Sequence, residues 1–378
     1  MDLGIYIHIP FCLRKCNYCD FISYPGCDED LKEQYIRAVI REASLYRDGF
    51  KDQERELTSI YVGGGTPTLL KSGHLTAILD ACRQFPWREG IEISIEANPG
   101  TVAPAKLADL RAAGYDRLSL GAQSFQDRLL AEMGRVHSAA KIIATFDAAR
   151  HAGFDNINLD LIYGLPNQSR DDWQETLERA VALRPEHIAA YGLKVEEGTP
   201  WGRLQREGRL CPAGEDLSVE MYLDAIEFLG RAGYRHYEIS NFALPGRPSV
   251  HNLLYWRNQE YIGLGVASSG HLHHRRYTNT GDLSGYISQV NEGRLPVAES
   301  EDISRSMEMA ETMFLGLRLL DGVNLEGFYR RFGVRAEDVY ACQIARMKEL
   351  NMLIMEDGCL RLTSQALPVS NEVFAQFL

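Results

Sequence analysis

The sequence predicts an α/β protein, a partial (open) TIM-like barrel followed by a small C-terminal α+β module of winged-helix type. Short β-like runs alternate with amphipathic helical stretches from Gly4 to about Asn241, and alternation of this length indicates a parallel sheet. Polar or reactive residues follow nearly every run, as they do at the carboxyl ends of barrel strands. About six repeats fall short of a closed eight-stranded barrel, so we expect one side to be open.

The strands are assigned in chain order from these runs. The first is Gly4–Ile9, which a cysteine-rich loop and a helix near residues 30–46 follow. Five further strands, each followed by a helical pattern, are predicted at Thr58–Val62, Glu92–Ala97, Arg117–Gly121, Asn156–Tyr163 and His187–Leu193. Their content of Ile, Leu, Ser and Tyr is typical of a sheet covered on both faces.

We divide the chain into three segments. Residues 1–241 form the partial barrel, residues 242–299 an extension that is loop-like over 245–298, and residues 300–378 a helical, winged-helix-like lid. Helices near Arg305–Leu319, Leu325–Phe332 and Ala336–Leu350 precede a hairpin at Asp357-Gly358. The lid carries 12 acidic and 8 basic side chains. A DNA-binding surface would be basic, so we expect the lid to pack over the open barrel.

Composition and charge narrow the class of protein. Of the 378 residues, 45% are hydrophobic and 24% are charged, as in ordinary globular proteins. This length supports a large core, which excludes a mini-scaffold, a fibre and a wholly disordered chain. No apolar run approaches the roughly 18–20 residues that span a bilayer. The net charge of −12 argues against a nucleic-acid partner, which would need a basic surface.

The cysteines point to a metal centre near the amino terminus. Three of eight are crowded as C-x3-C-x2-C at Cys12, Cys16 and Cys19, and the others are scattered. A scattered set without a signal peptide before it indicates a reducing cytoplasm. A zinc knuckle is one reading, but a structural zinc site needs a fourth ligand, and Cys27 lies eight residues further on. Three thiolates suit a [4Fe–4S] cluster with one iron left open.

The loop after the first strand resembles that of the radical-SAM superfamily, in which the open iron chelates S-adenosylmethionine (SAM). The resemblance implies that Tyr18 packs against the adenine and that the Gly63-Gly64-Gly65-Thr66-Pro67 run receives the methionine amino group. It further implies that Glu96 binds the ribose. The predicted SAM-binding set is Tyr6, Tyr18, Gly64, Gly65, Thr66, Glu96, Gln123, Arg135 and Asp160. Taken singly, the glycines also fit any tight turn, and Arg135 also fits a surface salt bridge.

Motifs along almost the whole chain resemble the oxygen-independent coproporphyrinogen III oxidase family. The matching segments are Tyr6-x-His8-x-Pro10-Phe11-Cys12, Glu96-Ala97-Asn98-Pro99, Gly121-Ala122-Gln123-Ser124-Phe125, Asp160 to Pro166 and Gly198-Thr199-Pro200. The family contains coproporphyrinogen dehydrogenases and HemW-like heme chaperones. The dehydrogenases carry a further cysteine where this chain has Phe21, and an extension before the barrel. The H-N-x-x-Y-W motif at 251–256 is similar to that of the chaperones.

The resemblance therefore favours a heme chaperone over a dehydrogenase, and leaves open whether SAM is cleaved. It implies heme contacts at His251, Tyr255 and Trp256, since imidazole can ligate iron and aromatic rings can cover a macrocycle. The alternative is that Tyr255 and Trp256 pack at the seam between barrel and lid while His251 bonds a buried carbonyl. Rival groups for the iron and the propionates follow at His271, His273, His274, Arg275 and Arg276.

The resemblance also indicates partners. We expect a heme-acceptor protein, for which a respiratory protein is one candidate, and an electron donor that the sequence does not identify. We expect no stable membrane insertion, because no basic amphipathic helix is present, and a monomer or weak homodimer. One departure from the family is Gly263-x-Gly265-Val-Ala-Ser268-Ser269, where members often have a histidine between small residues.

Overall fold

The structure, a computed structural model, describes residues 2–49 and 55–378. The strands are β1 Asp2–Ile9, β2 Phe11–Cys12, β3 Tyr24–Pro25, β4 Glu56–Gly64, β5 Trp87–Ala97, β6 Arg117–Gln123, β7 Ile157–Tyr163, β8 His187–Gly192, β9 Arg235–Glu238, β10 Asn241–Ala243, β11 Glu260–Leu264, β12 Ser269–Leu272, β13 Arg275–Asn279, β14 Val297–Asp302, β15 Val323–Asn324, β16 Leu353–Glu356 and β17 Cys359–Leu362.

The helices alternate with the first strands and then dominate the C-terminal module. They are α1 Glu29–Asp48, α2 Ser72–Cys82, α3 Pro104–Ala113, α4 Asp127–Glu132, α5 Ala139–His151, α6 Arg170–Ala182, α7 Pro200–Arg206, α8 Glu215–Arg231, α9 Val250–Trp256, α10 Leu283–Asn291, α11 Arg305–Gly316, α12 Leu325–Phe332, α13 Ala336–Val339, α14 Ala341–Glu349 and α15 Ser370–Phe374.

One twelve-stranded sheet runs through the molecule, in the order β14-β13-β12-β11-β1-β4-β5-β6-β7-β8-β10-β9. The seven central strands, β11-β1-β4-β5-β6-β7-β8, run parallel to one another. Antiparallel strands flank them on both sides, with β12 to β14 at one edge and β10 and β9 at the other. The two edge strands do not pair with each other, so the barrel is open. The predicted fold class is confirmed.

Local sequence signals explain where the helices begin, and burial explains why they stay on the sheet. Asp28 caps α1 by accepting a hydrogen bond from the Leu31 amide, and Ser169 forms a capping box with Asp172 at the start of α6. These caps satisfy amides that have no partner inside the helix. The buried apolar faces of the helices and strands join in one continuous core, which includes Ile7, Val39, Ile95, Leu120, Leu159 and Ile188.

The C-terminal module has its own core. The short sheet β15-β17-β16 packs with α11 to α15 around Met313, Phe328, Phe332, Leu360 and Phe377. Tyr222 of α8 joins this core, and a bridge between Glu238 and Leu319 ties the module to the barrel edge. The hairpin expected at Asp357-Gly358 is present as β16 and β17.

The loop-like interpretation of residues 245–298 was wrong. This segment contains α9, β11, β12, β13 and α10, and β11 pairs in parallel with β1 from Leu3 opposite Glu260 to Ile7 opposite Leu264. The strands are short and glycine-rich or basic, so they lack the alternation that marks a half-buried strand. The segment boundaries at 241 and 299 stay a prediction. In the described part of the chain, no helix is both long and apolar enough to cross a bilayer.

Candidate functional site

A cavity of about 420 Å³ lies at the carboxyl ends of the parallel strands. Strand ends meet at one edge of a parallel sheet, so residues that are far apart in sequence reach the same space. Eleven of the twelve residues predicted for the cluster and SAM line this cavity, namely Cys12, Cys16, Tyr18, Cys19, Gly64, Gly65, Thr66, Glu96, Gln123, Arg135 and Asp160. Tyr6 does not line it. The Tyr6 hydroxyl instead contacts Nδ1 of His8 at 3.0 Å.

The cysteine loop is fastened to two other loops. The Asn17 amide donates to the Met133 carbonyl at 3.0 Å, and its side-chain amide donates to the Glu132 carbonyl at 2.8 Å. The Trp201 amide donates to the Asn17 carbonyl at 2.9 Å, and the Trp201 ring lies 5.9 Å from that of Tyr18. These bonds fix the loop that places Cys16, Tyr18 and Cys19 in the cavity wall.

Two of the three thiols accept hydrogen bonds from described side chains. Thr66 donates to Sγ of Cys12 at 3.8 Å, and Nη1 of Arg135 donates to Sγ of Cys16 at 3.5 Å. Burial raises the pKa of Cys12, and it raises the pKa of Cys19 to about 11. Metal binding would therefore displace protons from these thiols. Within residues 2–49 and 55–378, no three His, Cys, Asp or Glu side chains are already gathered at metal-ligand spacing.

Gly64 and Gly65 bring backbone close to the cysteine loop. A Cβ on Gly65 would lie 2.7 Å from the Phe11 carbonyl oxygen and 3.0 Å from Sγ of Cys12. Gly64 has φ +109°, and a Cβ there would meet the His8 ring at 2.5 Å. Only glycine fits both positions, because a side chain at Gly65 would clash and Gly64 also has a left-handed backbone conformation.

Two partly buried carboxylates line the cavity, and neither forms an ion pair with a described residue. Glu96 accepts hydrogen bonds from the Tyr61 hydroxyl at 2.9 Å and the Gly64 amide at 3.0 Å. Asp160 accepts from Ser119 and Asn158, each at 2.9 Å. Burial, followed by the charge of Asp160, raises the pKa of Glu96 to about 7, and burial raises the pKa of Asp160. A cationic ligand such as a sulfonium with an ammonium group would compensate this charge.

Arg135 and Gln123 complete the polar lining. Nη2 of Arg135 donates to Oδ1 of Asn98 at 2.5 Å and to the Gly121 carbonyl at 2.7 Å, while its buried Nε has no partner among the described residues. Gln123 ends β6 with φ +66° beside a register shift in the pairing with β7. A left-handed conformation is unusual for glutamine, and such strain occurs often where a side chain is aimed at a ligand.

The H-N-x-x-Y-W segment is α9, which lies outside this cavity against β1 and β4. His251 is buried, and Ser59 Oγ and the Tyr255 hydroxyl each lie 2.8 Å from one of its ring nitrogens. Burial lowers the pKa of His251 to about 3, so the ring is neutral. The Tyr61 ring stacks on His251 with centroids 5.3 Å apart. Because Tyr61 also bonds Glu96, α9 is in contact with the wall of the cavity.

Tyr255 and Trp256 line a second, open cleft of about 360 Å³, which we call the α9 cleft. Its walls come from α9, β11, the β12–β13 hairpin and α11, and its lining is Tyr255, Trp256, Asn258, Gln259, Tyr261, His271, Arg276, Phe314 and Leu315. The guanidinium of Arg318 lies 4.4 Å from the Trp256 ring, and the buried indole Nε1 has no partner among the described residues. His251 does not line the cleft.

Comparison with known proteins identifies the family. The Radical SAM superfamily profile matches residues 6–180, and the HemN C-terminal domain profile matches residues 303–369. The heme chaperone HemW of Bacillus subtilis is 35% identical over 99% of this chain and 98% of its own length. HemW of Lactococcus lactis is 35% identical over 99% and 96%. HemW of Escherichia coli is 37% identical over 71% and 70%.

The chain belongs to the HemW family. This confirms the family predicted from the sequence motifs. A solved structure agrees in fold: coproporphyrinogen III oxidase (HemN) from Escherichia coli, described as a radical SAM enzyme, superimposes with a TM-score of 0.86. The match covers 99% of this chain and 89% of that one at 22% identity. It confirms the fold of this HemW relative and no more.

Membership of the radical SAM superfamily implies a [4Fe–4S] cluster and SAM, and the cavity fits both. Three thiols, a glycine cradle and two carboxylates outside any ion pair among the described residues surround it. When bound, the cluster supplies an open iron site and a low-potential electron. For this HemW relative, Cys12, Cys16 and Cys19 would hold the cluster, while Gly64, Gly65 and Glu96 would hold SAM.

Sequence reasoning missed several polar residues of the cavity, and three of them lie on or beside strands that build the site. Asn98, Ser119 and Tyr191 line it, at or near the ends of β5, β6 and β8. Asn98 connects Arg135 to Thr66, which it contacts at 2.7 Å. Ser119 supports Asp160. Their positions in the sequence were the available signal. Asn98 follows β5 and Ser119 lies in β6, two strands that also supply predicted site residues, and Tyr191 lies in β8, which neighbours β7.

Proposed function

We propose that this protein is a heme chaperone: it binds heme at α9 and passes it to an acceptor protein, while the cysteine cavity holds a [4Fe–4S] cluster and SAM. The observation that carries this proposal is that Tyr255 and Trp256 line an open, aromatic cleft separate from the cysteine cavity. Flat aromatic surface suits a porphyrin. Support also comes from the relatives named heme chaperone, which match almost the full chain.

The role of each predicted heme residue follows from its surroundings. Tyr255 and Trp256 can touch a ligand in the α9 cleft directly. His251 uses both ring nitrogens inside the protein, so its task in this state is to hold Tyr255 in the cleft wall. A heme contact at His251 would need one of these hydrogen bonds to open, and it stays a prediction.

Heme titration of the full chain, followed by absorbance, tests the proposal. Wild type is expected to bind one equivalent of heme, and Trp256→Ala to bind it at least about tenfold more weakly, since burying an aromatic surface is worth about 1.5–3 kcal/mol. Trp87→Ala, at the half-buried start of β5, is the matched control. A wild-type chain that retains no heme would reject the proposal.

The alternative function is oxidative decarboxylation of coproporphyrinogen III by a dehydrogenase. Two propionates would become vinyl groups, and an external electron acceptor would be required. Phe21, which is 62% exposed at the rim of the cavity, occupies the position of the further cysteine of the dehydrogenases. An anaerobic assay with SAM, a reductant and coproporphyrinogen is expected to yield no protoporphyrinogen. Its formation would replace the chaperone assignment.

The cluster is tested by anaerobic reconstitution with iron and sulfide. We expect Cys16→Ala to lose the visible absorbance and most of the bound iron, because three thiolates are needed to anchor the cluster. Cys27→Ala is the control, since the Cys27 thiol points to the Tyr24 carbonyl 3.7 Å away. Stoichiometric zinc with no iron in wild type would contradict the assignment. The eight cysteines are all unpaired in the structure, which agrees with the reducing cytoplasm that we propose as its location.

A further inference from the structure

His271 is the feature of the α9 cleft that the proposed function does not use. It lies on β12, only 3% of its surface is exposed, and it lines the cleft opposite α9. Neither ring nitrogen makes a hydrogen bond to another described residue, and its one ring contact is edge-on with Tyr261 at 6.5 Å. Neither nitrogen is fully enclosed by the described residues, so the unpaired edge of the ring is accessible from the cleft.

The other buried histidines differ from His271 in their hydrogen bonds or in their place, since His137, whose Nδ1 has no partner among the described residues, lies away from the α9 cleft. His8, His187 and His251 each have both ring nitrogens in hydrogen bonds. His274 pairs with Glu308 and is largely exposed. His271 therefore lines the cleft, and neither of its ring nitrogens forms a hydrogen bond with a described residue.

The groups around His271 indicate what kind of ligand would occupy the cleft. Four aromatic side chains, those of Tyr255, Trp256, Tyr261 and Phe314, form its walls and suit a flat, apolar ring. Arg276 lies directly across from His271 in the β12–β13 pairing and also lines the cleft. Its Nη1 bonds Glu311 at 2.6 Å, and its other N–H groups can bind a carboxylate.

We propose that His271 would ligate the iron of a heme bound in the α9 cleft, where Arg276 would bind a propionate. This inference rests on the proposed function. It supplies an iron ligand from β12, because His251 of the H-N-x-x-Y-W motif does not line the cleft. Aromatic walls suit a flat ring, a neutral imidazole suits a metal, and a guanidinium suits an acidic substituent, and an iron porphyrin combines these three features. Burial, with the nearby Arg276 charge second, lowers the pKa of His271, which keeps the imidazole neutral and able to bind iron.

The test compares heme with metal-free protoporphyrin IX on the full-length chain. His271→Ala is expected to bind heme at least about tenfold more weakly, because loss of even the outer-shell partner of a metal ligand weakens metal binding about 10–100-fold. It is also expected to lose the absorbance and electron-spin signals of imidazole ligation. Protoporphyrin IX, which has no iron, is expected to bind wild type and His271→Ala equally. Added imidazole is expected to restore the ligated heme spectrum in His271→Ala.

His273→Asn is the control on the same hairpin. His273 has φ +53°, and asparagine tolerates this left-handed backbone, so the hairpin should keep its shape while one histidine is removed. Heme spectra of His271→Ala identical to wild type would overturn the assignment of His271 and leave heme binding itself intact. A parallel loss of heme and protoporphyrin affinity would also overturn it, because His271 would then only shape the cleft. Absence of heme binding by wild type would reject both proposals.

Discussion

Gly65 illustrates how one residue sets the distance between two parts of the cofactor cavity. Its amide donates to the Ile9 carbonyl at 2.8 Å, and the next amide, that of Thr66, donates to the Phe11 carbonyl at 2.8 Å. These two bonds hold the end of β4 against the start of the cysteine loop. A side chain at Gly65 would enter the space between them.

We expect Gly65→Ala to fold but to bind SAM poorly. Its Cβ would lie 2.7–3.0 Å from the Phe11 and Ile9 carbonyls and the Cys12 sulfur, so the loop must shift. Such overpacking costs about 1–3 kcal/mol of stability, and we expect the displaced loop to bind SAM about tenfold more weakly, which corresponds to about 1.4 kcal/mol. SAM titration of the reconstituted protein measures the effect. Gly73→Ala, where a Cβ meets nothing within 4 Å, is the control. Wild-type SAM affinity in Gly65→Ala would contradict the argument.

Among the elements, α1 is joined to the β11–β13 edge by one buried carboxylate. Glu42 accepts hydrogen bonds from the Gly265 amide at 2.8 Å, the Asn279 side chain at 2.7 Å and the Tyr286 hydroxyl at 2.5 Å. These three donors come from different parts of the segment between β11 and α10. Burial raises the pKa of Glu42 from 4.5 to about 7 despite these bonds.

Glu42 is expected to make stability depend on pH. Because its pKa is higher in the folded chain, folding binds a proton between pH 4.5 and 7, and the stability it contributes at low pH falls as pH rises through this window. The free energy of unfolding of wild type relative to Glu42→Gln should fall by up to about 3 kcal/mol from pH 4.5 to 8. Urea unfolding at several pH values measures it, with exposed Glu349→Gln as control. Parallel curves for wild type and Glu42→Gln would refute this.

The elements differ in how far the sequence predicts them. Strands β1 and β4 to β8 and the positions of Cys12, Glu96 and Asp160 follow from apolar runs and from the rule that chemistry gathers at strand ends. β11 does not follow, because Glu-Tyr-Ile-Gly-Leu becomes a strand through pairing with β1, a contact about 250 residues away in sequence.

The α9 region needed the three-dimensional structure for the same reason. The motif shows a histidine followed by two aromatic residues, but the hydrogen bond between its ring and Ser59 depends on β4, a separate element of the fold. The cleft is made by α9, the β12–β13 hairpin and α11 together. Thus His271, one of several rival histidines in the sequence, differs from His273 and His274 only by where the hairpin places it.

At the scale of the whole molecule, the two cavities are connected by a short chain of contacts. Glu96 in the cofactor cavity bonds Tyr61 at 2.9 Å, Tyr61 stacks on His251 at 5.3 Å, and His251 bonds Tyr255 of the α9 cleft at 2.8 Å. Glu96 is one of the two carboxylates that a cationic ligand would compensate. Binding of a cationic ligand in the cofactor cavity therefore changes the charge beside Glu96, and this series of contacts connects Glu96 to Tyr255 in the wall of the α9 cleft.

We expect SAM binding to change heme affinity roughly fivefold or more, and heme to change SAM affinity by the same factor, because coupling between two sites is reciprocal. Tyr61→Phe keeps the stacked ring but removes the hydrogen bond to Glu96, so the factor should fall towards one while heme alone still binds. Titration of each ligand with and without the other measures both factors. Tyr329→Phe, on the exposed surface of α12, serves as the control. If neither ligand changes the affinity of the wild-type protein for the other, these contacts do not couple the two cavities.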